Sequence, residues 1–288
     1  MKIQKWRFTA ERGFFSHDED PESWEFRATT RPDLGIKSRQ YTTDTTIDPT
    51  EEKTQWQRLE HYVQEMNRVD PERRRWKIFY LIRHGQGVHN LKEKEVGRED
   101  WDRHWSRLSG KGSLVWEDAE LTPYGEQQAV DIATFFSSGG VPIPDAVFSS
   151  PLRRCLRTTE LAFENILPSL KRPVVKEKLR ERLGVHTCDK RSPRSYISTT
   201  HPWFEIESDF AEGDELWKDD VRESLEEHMI RATQLLEDIF ENAGDSIIVS
   251  LTAHSGALMA LFGATGWKKI PVAAGAVYPL LIVAEKIE

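Results

Sequence analysis

From residue 76 onward the chain is a succession of short apolar runs separated by stretches of helical periodicity. Lys77–Ile82 (KIFYLI), Asp145–Ser149 (DAVFS), Val174–Leu179, Ser246–Leu251 (SIIVSL) and Val277–Val283 have the length and β-branched or aromatic content of buried strands. Thr122-Pro123 predicts a helix running to about Phe136, with Thr as N-cap and Pro at the first helical position. Ser150-Pro151 predicts a second helix in the same way. Leu225, Met229, Ala232, Leu236 and Phe240 recur at helical spacing, so 215–242 reads as a long amphipathic helix closed by Gly244. The small residues of Ser255–Gly263 predict a tightly packed helix. Strands alternating with helices predict a largely parallel sheet covered on both faces.

Residues 1–75 break this pattern. They are polar and acidic, yet carry Trp6, Phe8, Phe14, Phe15, Trp24, Phe26 and Trp56. A disordered tail is poor in aromatic residues, so this region reads as an arm packed on a body that spans 76–288. Asp48-Pro49-Thr50-Glu51-Glu52 predicts one helix in it, near 50–68.

Composition narrows the function. Charged residues make up 31% and hydrophobic residues 38% of the 288, which suits a soluble globular protein. The formal net charge of −8 excludes a global basic field for nucleic acid. An anionic substrate would need a local cluster of Arg and His that overrides the acidic exterior. Two cysteines, Cys155 and Cys188, are too few to staple the chain and suit a reducing compartment; Cys155 reads as core. No apolar stretch is long enough to span a membrane, and the basic start at Met1 leads into no apolar run. A cytoplasmic protein is the default expectation.

In sheets of this kind ligands bind beyond the carboxyl ends of the strands. Arg83-His84 follows the first predicted strand, Arg153-Arg154 the second, Glu181 the third and His254 the fourth. A neutral imidazole attacks phosphorus well. An adjacent Arg offers a planar fork to two phosphate oxygens. Gly85 lets the backbone pass close to an anion. Arg-His-Gly alone would more often mark a structural histidine. Its surroundings change that.

Leu81-Ile82-Arg83-His84-Gly85-Gln86-Gly87-Val88-His89-Asn90 resembles the signature of the histidine phosphatase superfamily, in its phosphoglycerate-mutase-like branch. Three further segments resemble the family's motifs in the family's order. They are Asp118 to Gln128 (DAELTPYGEQQ), Ser149 to Thr159 (SSPLRRCLRTT) and Ser250 to Gly256 (SLTAHSG). Gly13-Phe14-Phe15, Thr54-Gln55-Trp56, Trp101-Asp102, Trp105-Ser106, Trp116 and Arg180 to Arg191 are similar to a fungal and plant subgroup. The resemblance implies an α/β three-layer sandwich, its mostly parallel central sheet flanked by helices.

By this resemblance His84 takes the phosphoryl group, while Arg83, Arg154 and His254 bind its equatorial oxygens. Spacing from the second Ser selects Arg154 over Arg153, which reads as a surface charge. Asn90 would bind the phosphate, with Gln86, Gly87 and Ser255 beside it. Glu181, in a Leu-x-Glu context, would protonate the leaving oxygen; a carboxyl group next to phosphate is pushed toward its neutral acid form. Many relatives have Ser where this chain has Gly87, which removes one hydroxyl donor. The acid-phosphatase branch carries an acidic proton donor just after its second His; here Ser255 follows His254, which disfavours it.

Segments 91–117 and 184–215 follow strand ends and are candidate lids. The region around the second carries Arg182, His186, Lys190, Arg191 and Arg194. Two readings stand: a site for a second anionic group, with His186 and Arg191 as candidates, or a solvated basic loop. Trp101, Trp105 and Trp203 read as packing residues. No metal-ligand spacing and no phosphate-binding loop occurs, so neither a metal nor a cofactor is expected. The expected activity is hydrolysis of a small phosphate monoester or diphosphate through phosphohistidine on His84, with a phosphoglycerate-type mutase as the alternative and a silent phospho-ligand binder behind both. The expected partner is a small phosphorylated metabolite; the oligomeric state is left open.

Overall fold

A computed structural model describes residues 4–19, 32–168 and 171–287. Trp24 and Phe26 of the predicted arm lie outside these residues. In chain order the strands are β1 (Trp6–Glu11), β2 (Arg74–Arg83), β3 (Gly110–Lys111), β4 (Leu114–Val115), β5 (Ala146–Ser149), β6 (Val174–Val175), β7 (Glu205–Ile206), β8 (Ile248–Ala253) and β9 (Val277–Lys286). The helices are α1 (Asp44–Ile47), α2 (Gln55–Val69), α3 (Val88–Val96), α4 (Arg98–Arg103), α5 (Pro123–Ser137), α6 (Arg153–Phe163), α7 (Arg194–Thr200), α8 (Leu225–Asn242) and α9 (Ser255–Ala264). Seven strands form one sheet in the order β1-β9-β2-β8-β5-β6-β7, and β3-β4 is a separate hairpin. Pairing is parallel from β2 through β7, whereas β9 runs antiparallel to both β1 and β2.

Side-chain alternation explains why helices cover both faces. Phe79 and Leu81 of β2 point into a core shared with Leu235, Leu236, Ile239 and Phe240 of α8 and Leu258 of α9. Ile78, Tyr80 and Ile82 point the other way, into Trp56, Leu59 and Val63 of α2, Ile132 and Phe136 of α5, and Phe163 of α6. The result is an α/β three-layer sandwich with a mostly parallel central sheet.

Described residues among the first 75 pack with this body. β1 is the edge strand of the main sheet, with Trp6 and Phe8 buried against α8 and its neighbours. Phe14, Phe15 and Trp56 are buried on the opposite face. No strand was predicted here, although Trp6, Phe8 and Ala10 alternate with Arg7 and Thr9.

Several boundaries differ from expectation, each for a local reason. α2 begins at Gln55, not near 50, because Thr54 caps it in a reciprocal box with Gln57; the Asp48 carboxylate instead accepts from Glu52 and Lys53 N–H in a turn. The third strand stops at Val175 and continues as a single turn over Glu177–Leu179. α6 begins at Arg153 rather than Ser150: Arg153 N–H donates to Asp118 Oδ1 at 2.9 Å, and Ser150 Oγ lies 2.8 Å from His254 Nε2. α8 begins only at Leu225, capped by Ser224 and Glu227, so 215–224 is irregular chain.

Register places the chemistry. Arg83 of β2 pairs with Ala253 of β8, so His84 and His254 emerge side by side. Ser149 of β5 pairs with Thr252 of the same strand, which brings the start of α6 alongside. Among the described residues no helix is long and apolar enough to cross a membrane.

Candidate active site

His84 leaves the end of β2 with its backbone N–H donating to Ala253 O at 3.0 Å. Gly85 packs directly on the backbone of Gly125 in α5, and a side chain at either position would collide with the other segment. That close approach fixes the imidazole. Its Nδ1 lies 2.6 Å from the Gly85 carbonyl, which can only accept, so Nδ1 carries the proton. Nε2 is left with its lone pair, which accepts from Arg154 Nε at 3.2 Å. Burial first, then the charges of Arg154 and Arg83, hold the His84 pKa well below that of an ordinary imidazole. The ring is neutral near pH 7, as an imidazole nucleophile must be.

Arg154, 1% exposed, is the hub. It donates to Cys188 O at 2.5 Å and to Asp189 Oδ1 at 2.9 Å. Asp189 Oδ2 accepts from Arg222 at 2.9 Å. Burial alone would raise the Asp189 pKa, but Arg222 and Arg154 outweigh it and hold the carboxyl below its usual range. Arg83 donates to Val272 O at 2.8 Å, and its buried Nε has no partner. Glu181 is oriented through both oxygens: Oε1 accepts from Arg182 N–H and Oε2 from Gly256 N–H, each at 2.9 Å. The second bond ties the carboxylate to the N-terminal turn of α9.

These groups line a cavity of about 360 Å³ with His84, His89, Asn90, Glu93, Arg98, Trp101, Arg182, His186, Cys188, Ser255 and Met259. Its walls present five guanidiniums, Arg83, Arg98, Arg154, Arg182 and Arg222, against the carboxylates of Glu93, Glu181 and Asp189. A local cationic surplus therefore exists inside a chain of net charge −8. Larger hollows of about 650 and 680 Å³ lie near Arg75 and Arg73, away from all of these residues.

The sequence candidates sort cleanly. His84, Arg83, Arg154, Glu181, Asn90, His186 and Ser255 line the one cavity. His254 stands behind it, fully buried, with its ring 5.1 Å from that of His84 and its Nε2 turned to Ser150 Oγ. Asn90 Oδ1 already accepts from Gly87 N–H at 2.9 Å, leaving its amide nitrogen for a ligand. Gln86 is not in the lining: its Oε1 accepts from Thr122 Oγ1 at 3.0 Å, and it faces the start of α5. Gly87 also stays outside the lining. Arg191 is not a cavity residue. It is 4% exposed, bonds both Glu177 oxygens, and donates to the carbonyls of Ala211 and Gly213, so its charge is consumed in closing a loop. Arg153 pairs with Glu120 near the surface. Trp101 both packs on Trp116 and lines the cavity; Trp203 packs at the edge of two cores.

Sequence reasoning missed His89, Asp189 and Arg222. The capping box Ser224-x-x-Glu227 was the available signal for Arg222, because it ends the irregular segment that carries it. His186, Cys188 and Asp189 bring three ligand atoms within 4.8 Å of one another. A cation there would face Arg154 and Arg222, which already occupy both Asp189 oxygens, so the cluster does not fit a metal.

Known proteins share much of this sequence. A protein of Arthroderma benhamiae named "Probable phosphoglycerate mutase" is 39% identical over 282 residues, spanning 95% of this chain and 83% of its own. The "Phosphomutase-like protein 3" of Candida albicans is 40% identical across 73% of this chain and 66% of its own. The "Phosphoglycerate mutase-like protein 1" of Arabidopsis thaliana is 31% identical across 64% and 70%. The family model of the histidine phosphatase superfamily, branch 1, matches residues 79–276, which hold every cavity residue named above. This chain belongs to the histidine phosphatase superfamily, branch 1.

Proposed function

We propose that the chain is a metal-independent phosphatase that hydrolyses a small phosphate monoester through a phosphohistidine on His84. One observation supports this reading: the His84 Nδ1 proton is committed to the Gly85 carbonyl, so Nε2 keeps its lone pair as the nucleophile, held by Arg154 Nε until that donor turns to a phosphoryl oxygen. Nε2 attacks phosphorus as the ester oxygen leaves. Arg83, Arg154 and Asn90 hold the phosphoryl oxygens, and His254 joins them by turning from Ser150. Glu181 protonates the leaving oxygen, and then draws a proton from the water that releases phosphate. The cationic surplus of the lining supports an anionic substrate.

A phosphoglycerate-type mutase is the alternative, favoured by the names of the fungal and plant relatives. Both reactions share the phosphoenzyme. They differ in the acceptor, and water is the acceptor that needs no further binding site.

Turnover of p-nitrophenyl phosphate in the presence of a metal chelator tests the proposal. Wild type is expected to turn over, and His84→Ala to lose at least about 10⁴-fold in kcat. Turnover by wild type that the chelator abolishes, or that His84→Ala retains, would overturn it. Interconversion of 2- and 3-phosphoglycerate in place of phosphate release would select the mutase.

A further inference from the structure

Gly87 has no side chain and so no hydroxyl to offer a phosphate. The structure fills that place. A Cβ built on Gly87 would meet His89 Nδ1 at 2.6 Å and His89 Cε1 at 2.7 Å. The polar edge of the His89 imidazole therefore occupies the space that a side chain on residue 87 would enter. A side chain at 87 would require the ring to move from where it stands.

His89 is 7% exposed, and its Nδ1 is wholly buried with no hydrogen-bond partner. A buried donor or acceptor left unsatisfied is expensive and points to a missing ligand. The ring lies 5.7 Å from that of His84 and lines the same cavity. The same cavity carries Arg83 and Arg154, with Glu93, Glu181 and Asp189 also in its lining. A neutral imidazole carries one N–H and one lone pair, so its N–H can donate to a phosphoryl oxygen in this cavity. A phosphoryl group on or near His84 would bring three acceptor oxygens.

We infer that His89 is a phosphate ligand of this enzyme, donating a ring N–H to the phosphoryl group and replacing the hydroxyl absent at Gly87. The inference rests on the reading of His84 as nucleophile. Burial first, then the neighbouring positive charges, keep the His89 pKa well below its ordinary value, so the ring contributes one neutral N–H. Gly87 and His89 are neighbours in space: the ring, as it stands, fills the place of a residue-87 side chain.

The test compares His89→Phe, which keeps a ring and loses the donor, with His89→Asn, whose amide nitrogen stands near the position of Nδ1. Orthovanadate affinity and kcat/KM for p-nitrophenyl phosphate are measured for each, with thermal melts to establish folding. His89→Phe is expected to lose about 10²-fold in both quantities, the usual effect of removing one donor to transition-state charge. His89→Asn is expected to retain most of both. Gly87→Ser with His89→Ala is expected to recover about tenfold over His89→Ala alone, because the hydroxyl returns. If folded His89→Phe matches wild type, or if His89→Asn loses as much as His89→Phe, the donor role is overturned while the His84 reading stands. If wild type neither binds vanadate nor turns over, the His84 reading falls and this inference with it.

Discussion

Replacing Arg154 with alanine is expected to destabilise the protein by about 3 kcal/mol and to lower kcat/KM by about 10³-fold. The two losses have one origin. Arg154 answers His84 Nε2, the Cys188 carbonyl and Asp189 Oδ1 from a fully buried position. Without it Asp189 stays buried with one oxygen answered only by the Cys188 thiol. Arg222 still answers the other, which keeps the cost at the low end for a broken buried pair. At about 2–4 °C per kcal/mol for a chain of this size, Tm should fall by roughly 6–12 °C. Arg154→Lys separates the two effects. A single ammonium restores a charge near Asp189 but cannot span three acceptors in different directions. It should recover most of the stability and little of the activity. Thermal melts beside kinetics check this; a lysine variant with wild-type kcat/KM would remove Arg154 from the transition state.

Acidification should unfold the protein as its buried histidines are forced to take protons. Burial holds the pKa of His17 and His228 down at about 3 and of His186 at about 4. It holds His84, His89 and His254 well below 6.5. In the unfolded chain each takes a proton near pH 6.5, while in the folded chain each refuses it. The unfolded state therefore binds more protons throughout the interval, and stability falls as pH drops from about 6.5 toward the folded values. Each group contributes up to about 1.4 kcal/mol per pH unit. His17, His228 and His186 together approach about 4 kcal/mol per unit, with His84, His89 and His254 acting in the same direction, against a total stability of about 5–15 kcal/mol. Cooperative loss of structure is expected between about pH 5.5 and 4.5. Circular dichroism against pH checks it. A native fold that persists at pH 4 would show that these histidines gain protons without unfolding the chain. Added inorganic phosphate should move the midpoint to lower pH if it binds only the folded protein.

How far the sequence carried depends on the range of each signal. Runs such as KIFYLI and SIIVSL mark buried strands because their neighbours in space are apolar on both faces, and the chain records that locally. His84, Arg154, Glu181 and His254 were legible because each follows a strand end, and parallel register gathers those ends. β1 was hidden: its alternation is clear, but the acidic, polar residues around it suggested an arm. Arg191 shows the limit of charge as a signal. A basic loop residue looks the same in sequence whether it faces a substrate or closes on Glu177. His89 stood inside the quoted string without a role, because its meaning depends on the space beside Gly87. Asp189 and Arg222 are 33 residues apart, and only folding couples them.

The central claim is that Nε2 of His84 carries the phosphoryl group between two half-reactions. Rapid acid-free quenching during turnover of a phosphate monoester, followed by peptide mass spectrometry, tests it most directly. The account predicts one phosphoryl group on the peptide containing His84, absent from His84→Ala. Turnover with the phosphoryl group on another residue, or sustained turnover by His84→Ala, would contradict it.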